Sequence, residues 1–354
     1  MSPWMNRRIF LRWLAIQLGA VAGSKFLAAC SQATSLLTTA FPTSTDIPGP
    51  TSVPSAVPVE VTEGIEATRS PEITPTEVAA TLASYPELAV ARVGEPEKLV
   101  EAAIAALGGM ERFVKSGDQV IVKPNICVAY HTYEYAATTN PWVVGALVKL
   151  CLEAGAKSVK VMDFPFGGTS EQAYIRSGIQ EQVLAAGGEM EAISSFKFVE
   201  TEIPEGVDLK ICDIYDEVLS ADVVINVPIA KDHGLARLTL GMKNLMGVIR
   251  DRPAMHRNLG QRLADLTSRV RPALTVVDAV RMLTWGGPSG GSLDAVKKMD
   301  TVIASPDIVA ADSYAATLFN INPMDLSYIQ AGVSMGLGRS DLGNMKIEEI
   351  NIGA

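Results

Sequence analysis

Six short apolar runs rich in Val and Ile punctuate residues 85–354, at 88–93, 120–122, 159–162, 223–227, 274–277 and 301–304. Most are apolar throughout, whereas a strand with one wet face alternates apolar and polar residues, so these runs read as strands buried on both faces. Helical stretches lie between most of them. Residues 96–107 open on Pro96, suited to a first helical turn, and 141–154 open on Pro141 and stop at Gly155. Residues 259–271 stop before Pro272, and 306–319 before Asn322-Pro323. This order predicts an α/β fold: an open, mostly parallel sheet with helices on both faces. Residues 85–354 form one module without internal repeats.

The residues ahead of the module differ in kind. The 354-residue chain has 30 Lys and Arg against 39 Asp and Glu, a net charge of -9, yet its first 29 residues carry Arg7, Arg8, Arg12 and Lys25 and no acidic residue. Arg7-Arg8-Ile9-Phe10-Leu11 followed by a short apolar stretch resembles a twin-arginine export signal, and Leu27-Ala28-Ala29-Cys30 resembles a lipobox. The expectation is a signal peptide over 1–29, acylation of Cys30, and a protein held by lipid on the extracytoplasmic face of a bacterial membrane. An uncleaved membrane anchor is the other reading, although the stretch is short for a ~30 Å hydrocarbon core. Residues 30–84 are rich in Pro, Ser and Thr, with no sustained period, and read as a disordered, flexible tether. The acidic balance argues against nucleic acid as a partner. The four cysteines form no CxxC, which makes an iron–sulfur cluster unlikely.

Polar residues gather just past the apolar runs. Lys123-Pro124-Asn125 comes after the second run, Asp163 after the third, Lys231-Asp232-His233 after the fourth and Asp278 after the fifth. Ligands of open α/β sheets bind outside the carboxyl ends of the strands, so these residues would share a crevice. Each has a plainer reading: Asp163 or Asp278 as a helix cap or turn residue, Lys123 as a solvated surface group. His233 has Lys231 two residues away, and a nearby ammonium favours neutral imidazole, suited to a base or a metal ligand. Lys243-Asn244 sits between Gly241 and Gly247, flanked by Met242 and Met246 at a helical spacing that reads as core. Gly286-Gly287-Pro288 lets backbone approach an anion but matches no nucleotide-binding fingerprint. Arg250, Arg252, His256 and Arg257 read either as solvated surface or as an extension of the anion site, and His131 as a lid residue.

In this order, Lys123-Pro124-Asn125, Lys231-Asp232-His233, Lys243-Asn244-Leu245-Met246-Gly247, Asp278-Ala279 and Gly286-Gly287-Pro288 resemble the proteins of domain-of-unknown-function family 362. The resemblance implies an architecture and a candidate site rather than a reaction. Some members carry ferredoxin-type cysteine clusters; here Cys127, Cys151 and Cys212 are isolated. Relatives often place a carboxylate ahead of the Gly-Gly-Pro segment, where this chain has Leu283-Thr284-Trp285. A strand, a histidine and then a lysine-bearing glycine segment is also similar to part of the nickel-dependent lactate racemase family.

Two functions fit these residues. The first is an enzyme acting on a small anionic substrate. Lys123, Lys231 and Lys243 would hold carboxylate or phosphate, with Lys231 and Lys243 also catalytic; Asn125, Asn244, Gly286 and Gly287 would orient the substrate. His233 would transfer a proton or ligate a divalent metal, with Asp163 and Asp278 as further ligands. The second is a non-catalytic lipoprotein that presents a solute or cofactor to a membrane partner. An iron–sulfur electron carrier ranks behind both. No protein partner is specified.

Overall fold

The computed structural model describes residues 85–353. The expectations for Arg7, Arg8, Cys30 and the tether lie outside the described residues. The strands, in chain order, are β1 (Leu88–Arg92), β2 (Gln119–Pro124), β3 (Ser158–Val161), β4 (Glu189–Met190), β5 (Phe198–Glu202), β6 (Ile211–Tyr215), β7 (Val223–Val227), β8 (Ile229–His233), β9 (Arg237–Thr239), β10 (Leu274–Leu283), β11 (Val296–Ser305) and β12 (Ile347–Asn351). Eight of them run side by side in the order β12-β1-β11-β10-β7-β2-β3-β4, and β8 and β9 extend from β10. β5 and β6 form a separate antiparallel pair.

The central pairings β10-β7, β7-β2, β2-β3 and β3-β4 are parallel, as continuous apolar runs predict. β11 departs from that pattern, pairing antiparallel with both β1 and β10, so the sheet is mixed and mostly parallel. Side chains in β2 show why both faces must be covered. Val120 and Val122 join one buried cluster, with Leu147, Cys151 and Val183; Ile121 joins the other, with Leu263, Leu266 and Tyr328. The helices Pro96–Ala106 and Pro141–Glu153 pack on the first face, and Leu259–Val270 and Ile308–Thr317 on the second. Pro141–Glu153 begins where the Asn140 side chain accepts from Trp142 N at 3.0 Å, and the chain leaves it through Gly155 at a φ of 95°.

One local break builds the site. Residues 223–233 run as two strands split by Pro228, which has no N–H for a ladder. β7 pairs with the start of β10, at Leu274 and Thr275; past the proline, β8 pairs with its second half, at Asp278 and Leu283. The Lys231-Asp232-His233 segment, read from sequence as lying beyond a strand, is therefore itself a strand. β8 turns through Gly234 into β9, which brings His233 beside the ends of β2 and β3. Among the described residues, no helix is long and apolar enough to cross a membrane.

Candidate functional site

A cavity of about 700 Å³ opens at the carboxyl ends of β2, β3 and β8, lined by Asn125, Asp163, Lys231, His233, Lys243 and Arg252 among others. Of the three lysines expected to share the crevice, Lys231 and Lys243 line it and Lys123 does not, and they differ in what they have left to offer.

Lys123 lies behind the wall rather than in it. Its ammonium donates to Asp163 Oδ1 at 2.7 Å, Pro124 O at 2.9 Å and Asn244 Oδ1 at 3.1 Å. An ammonium has three N–H groups, so Lys123 is saturated, and it supplies field rather than a contact. Burial pushes its pKa down, and the Asp163 carboxylate opposes the shift. The other oxygen of Asp163 accepts from Ile126 N at 2.6 Å. Gly247 crosses this pair so closely that a Cβ would lie 1.8 Å from Asp163 Oδ1 and 2.6 Å from Lys123 Nζ. The glycine is there for the ion pair.

Asn244 is likewise spent inside the protein. Its Oδ1 accepts from Lys123 and from Asn125 Nδ2 at 2.9 Å, and its Nδ2 donates to Lys123 O and to Asn226 Oδ1 at 2.8 Å. Two donors and two lone pairs are all a carboxamide has, so Asn244 orders the site instead of touching a ligand. Asn125 accepts from Lys231 Nζ at 2.9 Å and keeps one N–H. Lys231 also donates to Ala137 O at 2.6 Å, and its amine hydrogen-bonds the Cys127 thiol as well. Asn226 completes the chain by donating to Gly241 O at 3.0 Å. Sequence reasoning misses Asn226 as a site residue; its signal is an amide inside an otherwise apolar strand.

Lys243 is the exception. It lines the cavity, and no carboxylate or hydrogen-bond acceptor engages its amine among the described residues. Burial, then the charges of Lys231, Arg252 and Lys123, pull its pKa down to about 8. The short helix Gly241–Asn244 that carries it is anchored by buried Asp312, whose carboxylate accepts from Gly241 N and from Met242 N at 3.0 Å. Gly241 makes room for that carboxylate, because a Cβ there would sit 2.6 Å from Asp312 Oδ1. Met242 and Met246 are buried as core, with Met246 also reaching the cavity wall.

His233 is placed as expected, but its tautomer reverses its expected chemistry. Nδ1 accepts from Leu235 N at 3.1 Å and Ala236 N at 3.2 Å. An imidazole nitrogen facing two N–H donors carries no proton, so the ring proton sits on Nε2. Burial, then Lys243 and Lys231, push the pKa of His233 down to about 3. The ring is therefore a neutral hydrogen-bond donor, not a base. Ligating a metal through Nε2 would need the proton on Nδ1, where the two backbone donors stand.

The metal reading fails on the carboxylates too. Both oxygens of Asp163 are engaged, and Asp278 lies outside the cavity lining. Asp278 accepts from Asn140 N at 2.7 Å and Val280 N at 2.9 Å, a turn-holding role, and burial raises its pKa to about 6. Among the described residues, no three His, Cys, Asp or Glu side chains gather as a ligand set. Cys127, Cys151 and Cys212 fall in three separate apolar clusters.

The glycine-rich segment also differs from expectation. Gly287 reaches the wall, but its N–H donates to Asp232 Oδ2 at 2.9 Å, and a Cβ there would lie 1.7 Å from Asp232 O. Gly286 is not part of the lining and adopts a φ of 76°. Gly287 lets the loop after β10 pass against β8, and its amide is not free for an anion. Arg252 does extend the cationic wall. It donates to Phe164 O at 2.7 Å and Pro165 O at 3.2 Å and stacks 4.3 Å from the Phe164 ring centroid. Arg250 has its own counter-ion in Asp213 at 3.4 Å, and His131 stacks on Tyr135 outside the lining.

The chain is thus a mostly parallel α/β module with a cation-walled crevice at its strand ends. Residues 120–317 match the domain of unknown function DUF362, and the chain belongs to that family. A thylakoid-associated protein of Synechocystis sp. is 27% identical over 246 residues, 65% of this chain and 72% of that protein. Two solved structures are more distant. The lactate racemase apoprotein of Thermoanaerobacterium thermosaccharolyticum is 11% identical, with a TM-score of 0.38, over 60% of this chain and 53% of that one. A protein from Thermotoga maritima is 12% identical, with a TM-score of 0.39, over 64% of this chain and 60% of that one.

Proposed function

We propose that this chain is a lipid-anchored extracytoplasmic enzyme whose cavity holds a small anionic substrate, with Lys243 rather than His233 exchanging a proton. The observation that carries this reading is the unpartnered amine of Lys243 in a site where Lys123, Lys231, Lys243 and Arg252 share one carboxylate, Asp163. A bound carboxylate or phosphate would supply the missing negative charge. One N–H of Asn125 and Nε2–H of His233 remain to orient it. An amine with a pKa of about 8 is close enough to neutrality to give and take a proton under ordinary conditions. Phe164, Phe166, Met246 and Pro288 form apolar wall beside the cations and would accept an uncharged body on the substrate.

The test is a proton NMR survey in D₂O of the full-length chain with small carboxylates and phosphate esters, reading turnover and exchange of carbon-bound hydrogen. An enzyme shows one or the other, and Lys243→Met abolishes it. Saturable binding with neither would instead identify a solute-binding protein. The anchor is tested separately: Cys30→Ser should abolish incorporation of labelled fatty acid and release the protein from membranes, and Arg7→Lys/Arg8→Lys should block its export.

A further inference from the structure

We propose that Lys243 is a covalent attachment point for a carbonyl-bearing anion, a 2-oxo acid being the simplest class, which it binds as an imine. This rests on the anion-site reading above and narrows its substrate class. Lys123, with three protein acceptors, and Lys231, with two and the Cys127 thiol, have their ammonium groups fixed by the protein, and Lys243 does not. Its amine is carried on a helix of four residues fixed at its start by Asp312 and followed at once by the Gly247 crossing, so it is well positioned while its end is unengaged.

The surroundings suit addition to a carbonyl. Burial, and then the neighbouring cations, disfavour the protonated amine, which cannot attack, and the depressed pKa agrees. The Arg252 guanidinium lines the same cavity as Lys243 and would neutralise the carboxylate of such an anion. His233 Nε2–H can donate to the carbonyl oxygen as negative charge develops there, as a neutral imidazole does without giving up its proton. The balance closes without any redox partner. The nitrogen lone pair adds to the carbonyl carbon and one N–H proton moves to the oxygen, giving a carbinolamine. The second N–H proton then leaves with the hydroxyl as water, giving the C=N bond.

The experiment incubates the full-length chain with pyruvate and sodium cyanoborohydride at pH 8, and locates reduced adducts by peptide mass spectrometry. The expected result is one adduct, on Lys243, formed at least about tenfold faster than on exposed Lys149 or Lys298. About half of an amine with a pKa of 8 is neutral at that pH, against well under one in a hundred for an ordinary lysine. Succinate should suppress the labelling, and Lys243→Arg, which keeps the charge, should unfold in urea as the wild type does and show no labelling. Labelling spread over exposed lysines with no preference for Lys243 overturns the proposal. Pyruvate titrations followed by NMR separate the two levels. Saturable pyruvate binding without an adduct overturns the imine and leaves the anion site standing; no binding of pyruvate or succinate overturns both.

Discussion

Replacing Asp163 by Asn removes the one carboxylate that the buried cations share. The Lys123–Asp163 pair is 2.7 Å long, with side chains 1% and 4% exposed. The variant leaves a buried ammonium with only the neutral acceptors Pro124 O and Asn244 Oδ1, plus whatever the new amide oxygen can share between Lys123 and Ile126 N. Breaking a buried pair from one side costs about 3–5 kcal/mol, and the retained amide oxygen places this case near ~3 kcal/mol. At roughly 2–4 °C per kcal/mol for a domain of such size, the midpoint should fall by about 6–12 °C. The exposed Lys149–Glu153 pair, 3.7 Å apart, is the control, and its loss should cost less than about 0.5 kcal/mol. Urea unfolding of the full-length chain as a function of pH carries a second signature. Without Asp163 the folded-state pKa of Lys123, already lowered by burial, falls further. Above it the unfolded chain binds the proton that the folded one has released, so stability rises with pH and the deficit of the variant should narrow between pH 7 and 10. A deficit below about 1 kcal/mol, or one that does not narrow, would refute the description of this pair as the electrostatic keystone of the site.

Three further outcomes are expected from the same geometry. Gly247→Ala should lose about 1–3 kcal/mol in urea unfolding, and anion affinity with it, because a Cβ 1.8 Å from Asp163 Oδ1 must displace a carboxylate held at both oxygens. Asp312 has its pKa raised by burial to about 7, so its contribution is complete below the unfolded carboxyl value near ~4 and is lost as pH rises through 7; Asp312→Asn should flatten that part of the stability profile. Anion affinity should fall as pH rises through about 8, where Lys243 discharges, and Lys243→Arg should remove that dependence in calorimetric titrations at pH 6 to 9.

The sheet was legible because its strands are buried on both faces: the residue string alone marks β1, β2, β3, β7, β10 and β11. β8 was not, because Lys231-Asp232-His233 is polar and becomes a strand only through pairing with the far half of β10. The antiparallel placement of β11 was hidden for the same reason: pairing partners are tertiary. At the site, residue types and order brought Lys231, Lys243, His233, Asn125 and Asp163 together correctly. What sequence could not supply was saturation. Nothing in the string Lys123-Pro124-Asn125 says that Lys123 spends all three N–H groups on the protein, or that Gly287 gives its amide to Asp232. The tautomer of His233 was equally out of reach, since it depends on two backbone donors of the turn beyond it.

The claim on which the rest depends is that the cavity recruits an anion through Lys243. Isothermal titration of the full-length chain with succinate and with inorganic phosphate, wild type beside Lys243→Met, tests it directly. One saturable site is expected for at least one of the two, weakened by added salt and by about tenfold or more, some 1.4 kcal/mol, in Lys243→Met. No saturable binding of either anion, or binding that is equally tight in Lys243→Met, would contradict it.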